Sequence, residues 1–290
     1  MKKTITKISF IAIMLCVVML AVNCKKDETT TPIQPSSIPV LKTKSITDIT
    51  STTARTHGQI ISDGGAIITE QGICWNSSPT PTIENNKIEI NNSTGFDCEI
   101  NGLQAYTNYY VRTYAINANG IAYGNEISFR TDLVVGDSYQ GGFVAYLFAQ
   151  GDPGYVVNEK HGIIAAPYDQ SEFAEWGCNG NEIGGILSSL GTGQANTTAI
   201  VNGCSTSGTA ARICNDLVLN GYNDWFLPSI DELIRLYWNY DKIGGFAYTT
   251  GYWSSTETGY YDAYFLDFGP GTTSTEFKNY HKRVRAIRTF

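Results

Sequence analysis

Short runs of alternating apolar and polar residues, each closed by a turn, dominate residues 40 to 131. The clearest run is "NYYVRTYAIN" at residues 108–117. One face of that segment would carry Tyr109, Val111, Thr113 and Ala115. Because successive side chains point to opposite faces of a strand, a period of two predicts a half-buried strand. About seven such runs within about 90 residues predict an all-β sandwich.

This segment also resembles a fibronectin type III domain. The stretch "GLQAYTNYYVRTYAINANGIAYGNEISFRT" is similar to the second half of that family, whose L-x-P-x-T-x-Y-x-V motif matches Leu103, Thr107, Tyr109 and Val111. The resemblance implies that Tyr109 is a tyrosine corner bonded to nearby backbone, and that Trp75 of "GICWN" is the core tryptophan. We expect a fibronectin type III-like domain over residues 39–131 that serves as a spacer.

The N-terminus begins with lysines and continues with the apolar run "ISFIAIMLCVVMLAV" at residues 8–22. A helix needs about 20 apolar residues to span a bilayer, so the run predicts a signal peptide over residues 1–23. The residues before Cys24 resemble a bacterial lipobox, which implies that Cys24 carries lipid. The alternative is ordinary secretion with Cys24 as an unused thiol.

The residues after Cys24 predict a tether and a location. Residues 24–38 are rich in Thr, Pro and Ser and predict a flexible, lipid-anchored tether. The segment "CKKDE" resembles the tag that sends some lipoproteins of Gram-negative bacteria to the outer face of the outer membrane. We therefore expect a protein held to that membrane through lipid on Cys24.

Charge and cysteines exclude some functions. The formal net charge of −7 argues against nucleic-acid binding, which requires a basic surface. No cysteine pair has CxxC spacing, so a zinc site is not expected. Cys178 and Cys204, both in Gly/Asn-rich loops, form the most plausible disulfide, and Cys74 could pair with Cys98 if neighbouring strands bring them together. Cys214 falls on the apolar stripe of a helix that starts near Ala210, which predicts a buried free thiol.

The stretch "PSIDELIRLY" contains adjacent acids that need an explanation. Ser229 is followed three residues later by Glu232, the spacing of a capping box, and Asp231 also lies in the first turn, where the helix dipole favours negative charge. Adjacent helical side chains point about 100° apart, so Asp231 and Glu232 do not form an acid–base pair. The acids predict a helix start and no catalysis.

Residues 132–290 resemble the Lcl C-terminal domain family, which includes the C-terminal domain of a bacterial collagen-like adhesin. The resemblance rests on "GYNDWFLPSIDEL", "YWSSTE", "AYFLDFGPG" and "KRVRAIRTF" in that order. It implies an α+β, C-type-lectin-like fold with two helices against small antiparallel sheets, and Trp225 and Trp253 in the core. The adhesin domain binds sulfated glycosaminoglycans. The calcium-and-sugar motifs of true C-type lectins are absent, so calcium-dependent sugar binding is not expected.

No catalytic set is recognisable. His57, His161 and His281 show no metal-ligand spacing, and neither H-E-x-x-H nor G-x-S-x-G occurs. A Cys214–His281 nucleophile and base would require an exposed cysteine. We expect neither enzymatic activity nor a cofactor.

Two groups of residues are candidates for ligand binding. Tyr260, Tyr261 and Asp262 follow a glycine at a turn, where aromatic faces beside polar groups suit sugar rings. The alternative is ordinary strand packing. A basic cluster near the last strand comprises Lys278, His281, Lys282 and Arg283. It suits a sulfated or carboxylated glycan, and the alternative is a solvated turn.

Together these patterns predict a surface lipoprotein whose spacer presents a lectin-like domain for adhesion or glycan recognition. The alternative is a structural envelope protein whose terminal domain binds a protein partner. An enzyme of another kind has the least support, because no acid–base or nucleophilic set occurs in the sequence.

Overall fold

A computed structural model describes residues 35–91 and 94–290. The expected signal peptide, the lipidation site Cys24 and most of the expected tether lie outside the described residues. Within the described part, no helix is long and apolar enough to cross a membrane.

The first half of the described chain consists of eight strands in two antiparallel sheets. They are β1 Val40–Thr47, β2 Ala54–Ser62, β3 Glu70–Asn76, β4 Asn86–Glu89, β5 Gly95–Ile100, β6 Asn108–Asn117, β7 Gly120–Tyr123 and β8 Ile127–Arg130. One sheet has the order β1-β2-β5, and the other has the order β4-β3-β6-β7 with β8 paired to β6. The alternating strands thus form the expected sandwich.

The core of this sandwich follows the alternation of β6. Tyr109, Val111, Thr113 and Ala115 are all buried. The backbone N–H of Gln104 donates to the hydroxyl of Tyr109 over 3.1 Å, which is the bond that a tyrosine corner makes. Trp75 differs from the expectation, because it is only half-buried at the edge of the core. Ile73, two residues earlier on β3, is fully buried.

The second half combines nine strands with four helices. The strands are β9 Ser138–Tyr139, β10 Gly142–Leu147, β11 Gly162–Ala165, β12 Ser171–Glu175, β13 Gly251–Glu257, β14 Asp262–Asp267, β15 Thr272–Phe277, β16 His281–Val284 and β17 Ile287–Thr289. The helices are α1 Gly193–Gly203, α2 Ala210–Asn215, α3 Ile230–Trp238 and α4 Tyr240–Ile243. The sheets have the orders β17-β11-β10-β9 and β12-β16-β13-β14-β15, and only β13 and β16 pair in parallel.

Helix α3 begins where the capping box places it. The Ser229 side chain accepts from the backbone N–H of Glu232, and the Glu232 carboxylate accepts from the backbone N–H of Ser229 over 2.8 Å. Glu232 is fully buried and also accepts from the N–H of Gly191, so it ties the loop before α1 to the start of α3. Trp225 and Trp253 are buried in the core, as expected.

Cys214 lies on α2 with no exposed surface, in the same core as Trp253. Burial raises the pKa of its thiol. Cys74 and Cys98 are also buried free thiols, on β3 and β5 of opposite sheets. The possible Cys74–Cys98 disulfide therefore does not form.

The two halves meet at a junction built around Tyr106. Its ring packs edge-on against Tyr139 with centroids 5.9 Å apart, and the Arg130 guanidinium lies 4.4 Å from its centroid. The backbone N–H of Lys160 donates to the Tyr106 hydroxyl, and the Lys160 ammonium pairs with Asp132 at 3.2 Å. These contacts connect the end of β8 in the sandwich to the loop before β11 in the second half.

Candidate functional site

The two candidate tyrosines lie in the turn between β13 and β14. Tyr260 and Tyr261 are 59% and 57% exposed, so their rings are available to a ligand instead of packing within the sheet. Their backbones are fixed: the carbonyl of Tyr260 accepts from Gly180, and that of Tyr261 accepts from Lys278 over 2.8 Å. Asp262 is half-buried as the first residue of β14.

Lys278 is not part of a surface basic cluster, and that prediction is wrong. Its side chain has no exposed surface, and its ammonium pairs with Glu257, whose side chain is 3% exposed. The ammonium also donates to the carbonyl of Asn181 over 2.8 Å and lies 4.8 Å from the ring centroid of Trp176. The charge of Lys278 can be buried because a carboxylate, a carbonyl and an aromatic face replace its contacts with water.

Glu257 and the disulfide together hold the Gly-rich loop, residues 176–192, which covers Lys278. The Glu257 carboxylate accepts from the backbone N–H of Ile183 and of Gly184, each within 3.1 Å. Cys178 and Cys204 form the expected disulfide, which ties the same loop to the end of α1. The loop is thus fixed at both its start and its middle, beside the Tyr260 turn.

The remaining basic residues of the predicted cluster all have acidic partners. Two of them lie at moderate distances from their partners: His281 is 3.7 Å from Glu175, and Lys282 is 3.9 Å from Glu276. Arg283 pairs with Asp169 at 2.9 Å and with Glu172 at 3.3 Å. Lys282 and Arg283 are thus paired with carboxylates of the fold, so β16 does not present an open cationic patch.

Lys282 is further withdrawn from solvent by aromatic rings. Its side chain is 13% exposed, and its ammonium lies 3.7 Å from the ring centroid of Phe265. Burial lowers the pKa of Lys282, and the charges of Glu276 and Asp267 oppose that shift. Lys282 is therefore a poor anchor for a polyanion.

Several exposed aromatic side chains lie on the strands and turns next to Lys278 and on β12. These residues, hereafter the aromatic surface, are Phe173, Tyr260, Tyr261, Phe277, Tyr280 and His281. Phe173 is 72% exposed and stacks on His281 with centroids 3.9 Å apart and rings 8° from parallel. Phe277 and Tyr280 lie 6.0 Å apart, directly before and after the turn that carries Lys278.

Three members of the aromatic surface, Phe173, Phe277 and Tyr280, were not among the sequence candidates. Each is a single aromatic residue in a short strand or turn, a pattern that more often indicates a packed side chain. Their exposure depends on which strands pair, above all on β12 and β16 lying side by side. Only the three-dimensional arrangement identifies them.

The described residues offer little for catalysis or metal binding. Within residues 35–91 and 94–290, no group of three or more His, Cys, Asp and Glu side chains could hold a metal ion. Cys214 is enclosed in the core, whereas His281 is exposed and stacked on Phe173. The chemistry available at the aromatic surface is ring stacking and hydrogen bonding.

Comparisons with known proteins add a fold-level likeness for part of the chain. No protein-family model matches the sequence, and no curated protein matches it. Similar solved structures are fibronectin type III-like domains. They include such a domain of human collagen XX, at 17% identity over 34% of this chain and 98% of that one, with a TM-score of 0.26.

Two further solved structures are similar over about a third of the chain. One is the sensor domain of the anti-sigma factor RsgI4 of Pseudobacteroides cellulosolvens, at 13% identity over 34% of this chain and 98% of that one, TM-score 0.26. The other is the sixth fibronectin type III domain of human fibronectin type III domain containing protein 3, at 22% identity over 36% and 91%, TM-score 0.25. At these scores the likeness carries no functional argument, and the sandwich rests on its own strand order.

Proposed function

We propose that this protein is a surface lipoprotein that recognises a neutral glycan through the aromatic surface of its second half. The observation that carries the proposal is the set of exposed rings around Lys278. Phe173, Tyr261 and Tyr280 are each more than half exposed. Sugar rings present C–H faces that pack on aromatic rings and hydroxyls that hydrogen-bond beside them.

The pairing of the basic residues with carboxylates favours a neutral glycan over a sulfated one. Lys278 is buried, and His281, Lys282 and Arg283 each lie within ion-pair distance of a carboxylate. A sulfated chain would have to displace those carboxylates, while the whole protein carries a net charge of −7. A neutral polysaccharide avoids that cost, so we infer a neutral ligand in place of the sulfated one that the family resemblance implies.

The same proposal includes how the surface is presented. The N-terminal pattern supports a lipid anchor at Cys24 in the outer membrane of a Gram-negative bacterium, facing outward. The sandwich, proposed as a fibronectin type III-like spacer over residues 39–131, would hold residues 132–290 away from the membrane. The order of the motifs supports assigning those residues to the Lcl C-terminal-like, C-type-lectin-like class.

The experiment is binding of residues 25–290 to an array of neutral, sulfated and carboxylated glycans at two salt concentrations. We expect binding to a neutral class that salt changes little, because no ion pair is made with the ligand. Tyr261→Ala should abolish it. Tyr248→Ala is the matched control, since Tyr248 is 53% exposed but packs on Tyr240 in a different cluster.

Three outcomes would contradict the proposal. Salt-sensitive binding to sulfated chains would favour the cationic residues and overturn the neutral class. If Tyr261→Ala and Tyr248→Ala reduced glycan binding equally, the binding site would not be at the aromatic surface. If the protein bound no glycan on the array, the result would favour the alternative, a structural envelope protein whose aromatic surface binds another protein.

A further inference from the structure

One end of the sandwich carries exposed aliphatic side chains. These residues, hereafter the isoleucine end, are Ile38, Val40, Ile61, Ile67 and Ile121. Their exposed fractions range from 40% for Ile121 to 85% for Ile67. Ile61 and Ile67 line one shallow cleft, and Ile38 lies beside Gly120, the neighbour of Ile121. Exposed aliphatic residues that cluster at one end are a feature of surfaces that contact a partner or a membrane.

The isoleucine end is opposite the junction with the second half. Strand β1 starts there, with Val40 opposite Ser62, whereas its last residue Thr47 pairs with Arg55 at the other end. Strand β6 starts at that other end, where Asn108 pairs with Arg130 beside the junction. The sandwich therefore separates the isoleucine end from the second half by the length of a strand, about 30 Å.

The N-terminal segment enters the sandwich at the isoleucine end. The backbone N–H of Ser37 donates to the carbonyl of Gly64 over 2.7 Å, and the Asn117 side chain donates to the carbonyl of Ser37. The distance along the chain from Cys24 to Ser37 is at most about 45 Å when fully extended. A membrane anchor at Cys24 would therefore hold the isoleucine end within about 45 Å of the bilayer, and this end is closer to the anchor along the chain than the opposite end.

Charge next to the isoleucine end also fits a lipid surface. Lys42 and Lys44 are exposed on β1, directly after Val40. The aliphatic side chains of the isoleucine end can contact acyl chains, while the two lysines, further along β1, can contact the anionic headgroups above them. Asp63 lies at the same end, with its carboxylate accepting from the backbone N–H of Gly65.

We propose that the isoleucine end inserts shallowly into the headgroup layer of the membrane that anchors the chain. This proposal rests on the lipid anchor proposed above. Contact at this end fixes the sandwich upright and directs the second half away from the bilayer. The occupant is a lipid surface, and no protein partner is required at this end.

The test uses the full chain, reconstituted into vesicles through its own N-terminus. Ile67→Cys is labelled with an environment-sensitive fluorophore, and Val218→Cys, 74% exposed in the second half, is the matched control. Cys74, Cys98 and Cys214 are buried, so the new thiol is labelled selectively in the native protein. We expect blue-shifted emission and quenching by nitroxide lipids at position 67, and neither effect at position 218.

The outcomes separate failure of the lipid anchor from failure of the membrane contact at the isoleucine end. A chain that does not stay with the vesicles contradicts the anchor, and with it the contact. A chain that stays but whose label at position 67 behaves like that at 218 contradicts the contact alone. A label at Ile121→Cys should lose its quenching when Ile61→Ser and Ile67→Ser are added. Retained quenching in that variant would show that these isoleucines do not make the contact.

Discussion

The ammonium of Lys278 and the carboxylate of Glu257 form an ion pair in which neither side chain is more than 3% exposed. The pair lies beneath the Gly-rich loop and beside the turn that carries Tyr260 and Tyr261. It therefore supports the backbone from which the aromatic surface projects, while contributing no charge to that surface.

Replacing Lys278 should destabilise the second half strongly. Lys278→Met leaves the Glu257 carboxylate buried without its cation, which costs about 3 to 5 kcal/mol of unfolding free energy. Urea denaturation of residues 25–290 measures the loss. Lys282→Met is the control, because its partner Glu276 is 32% exposed and 3.9 Å away, so the loss of this pair should cost less than about 1 kcal/mol. Similar losses in both variants would contradict the special role of the buried pair.

Glu232 and Asp231 should differ sharply although they are neighbours. Glu232→Ala leaves the backbone N–H groups of Ser229 and Gly191 without their buried acceptor, an expected loss of about 3 kcal/mol. Asp231→Ala removes only a favourable interaction with the helix dipole, less than about 1 kcal/mol. Thermal and urea denaturation of the two variants measures these losses of unfolding free energy. A larger loss for Asp231→Ala than for Glu232→Ala would refute the capping assignment.

Opening the disulfide should loosen the loop beside the aromatic surface. Cys178 and Cys204 are 26 residues apart, and closing such a loop stabilises a fold by about 3.5 kcal/mol in the chain-entropy model. The double variant Cys178→Ser, Cys204→Ser should melt lower and lose hydrogen-exchange protection at Ile183 and Gly184. An unchanged melting temperature with retained protection would mean that Glu257 alone holds the loop.

His161 should titrate above its ordinary range. The Glu159 carboxylate and the Phe290 carbonyl both raise the pKa of His161, since each bonds to its ring. Its folded-state pKa exceeds its unfolded value of about 6.5. The stabilisation is therefore complete below that unfolded value and disappears as the pH rises through the folded pKa. NMR titration measures the shift, and Glu159→Gln should reduce it; a pKa unchanged by that substitution would exclude the Glu159 bond as its cause.

Features set by nearby residues could be predicted from the sequence. The capping box at Ser229 joins residues three apart, and the alternation in β6 requires only one strand. The Cys178–Cys204 disulfide could be selected because both cysteines lie in loops, whereas Cys214 falls on the buried stripe of α2. In each case the decisive information is local or follows from a simple choice between alternatives.

Features set by distant pairings could not be predicted. Lys278 lies in the polar segment "KNYHKR", but its burial depends on Glu257 and Asn181 being brought to it by β13 and the Gly-rich loop. Phe173 is exposed, and it lies where the register between β12 and β16 shifts, between Ser171 and Ala174. The sequence therefore predicted a basic cluster that includes Lys278, whereas the structure buries Lys278 and exposes Phe173.

The opposite ends at which the chain enters and leaves the sandwich have a mechanical consequence. The chain enters β1 beside Ser37 and leaves β8 at Arg130, so tension applied between Ser37 and the second half acts along the strands. Hydrogen bonds between antiparallel strands lie perpendicular to that direction. Such tension shears the whole β1–β2 ladder at once instead of breaking its hydrogen bonds one by one.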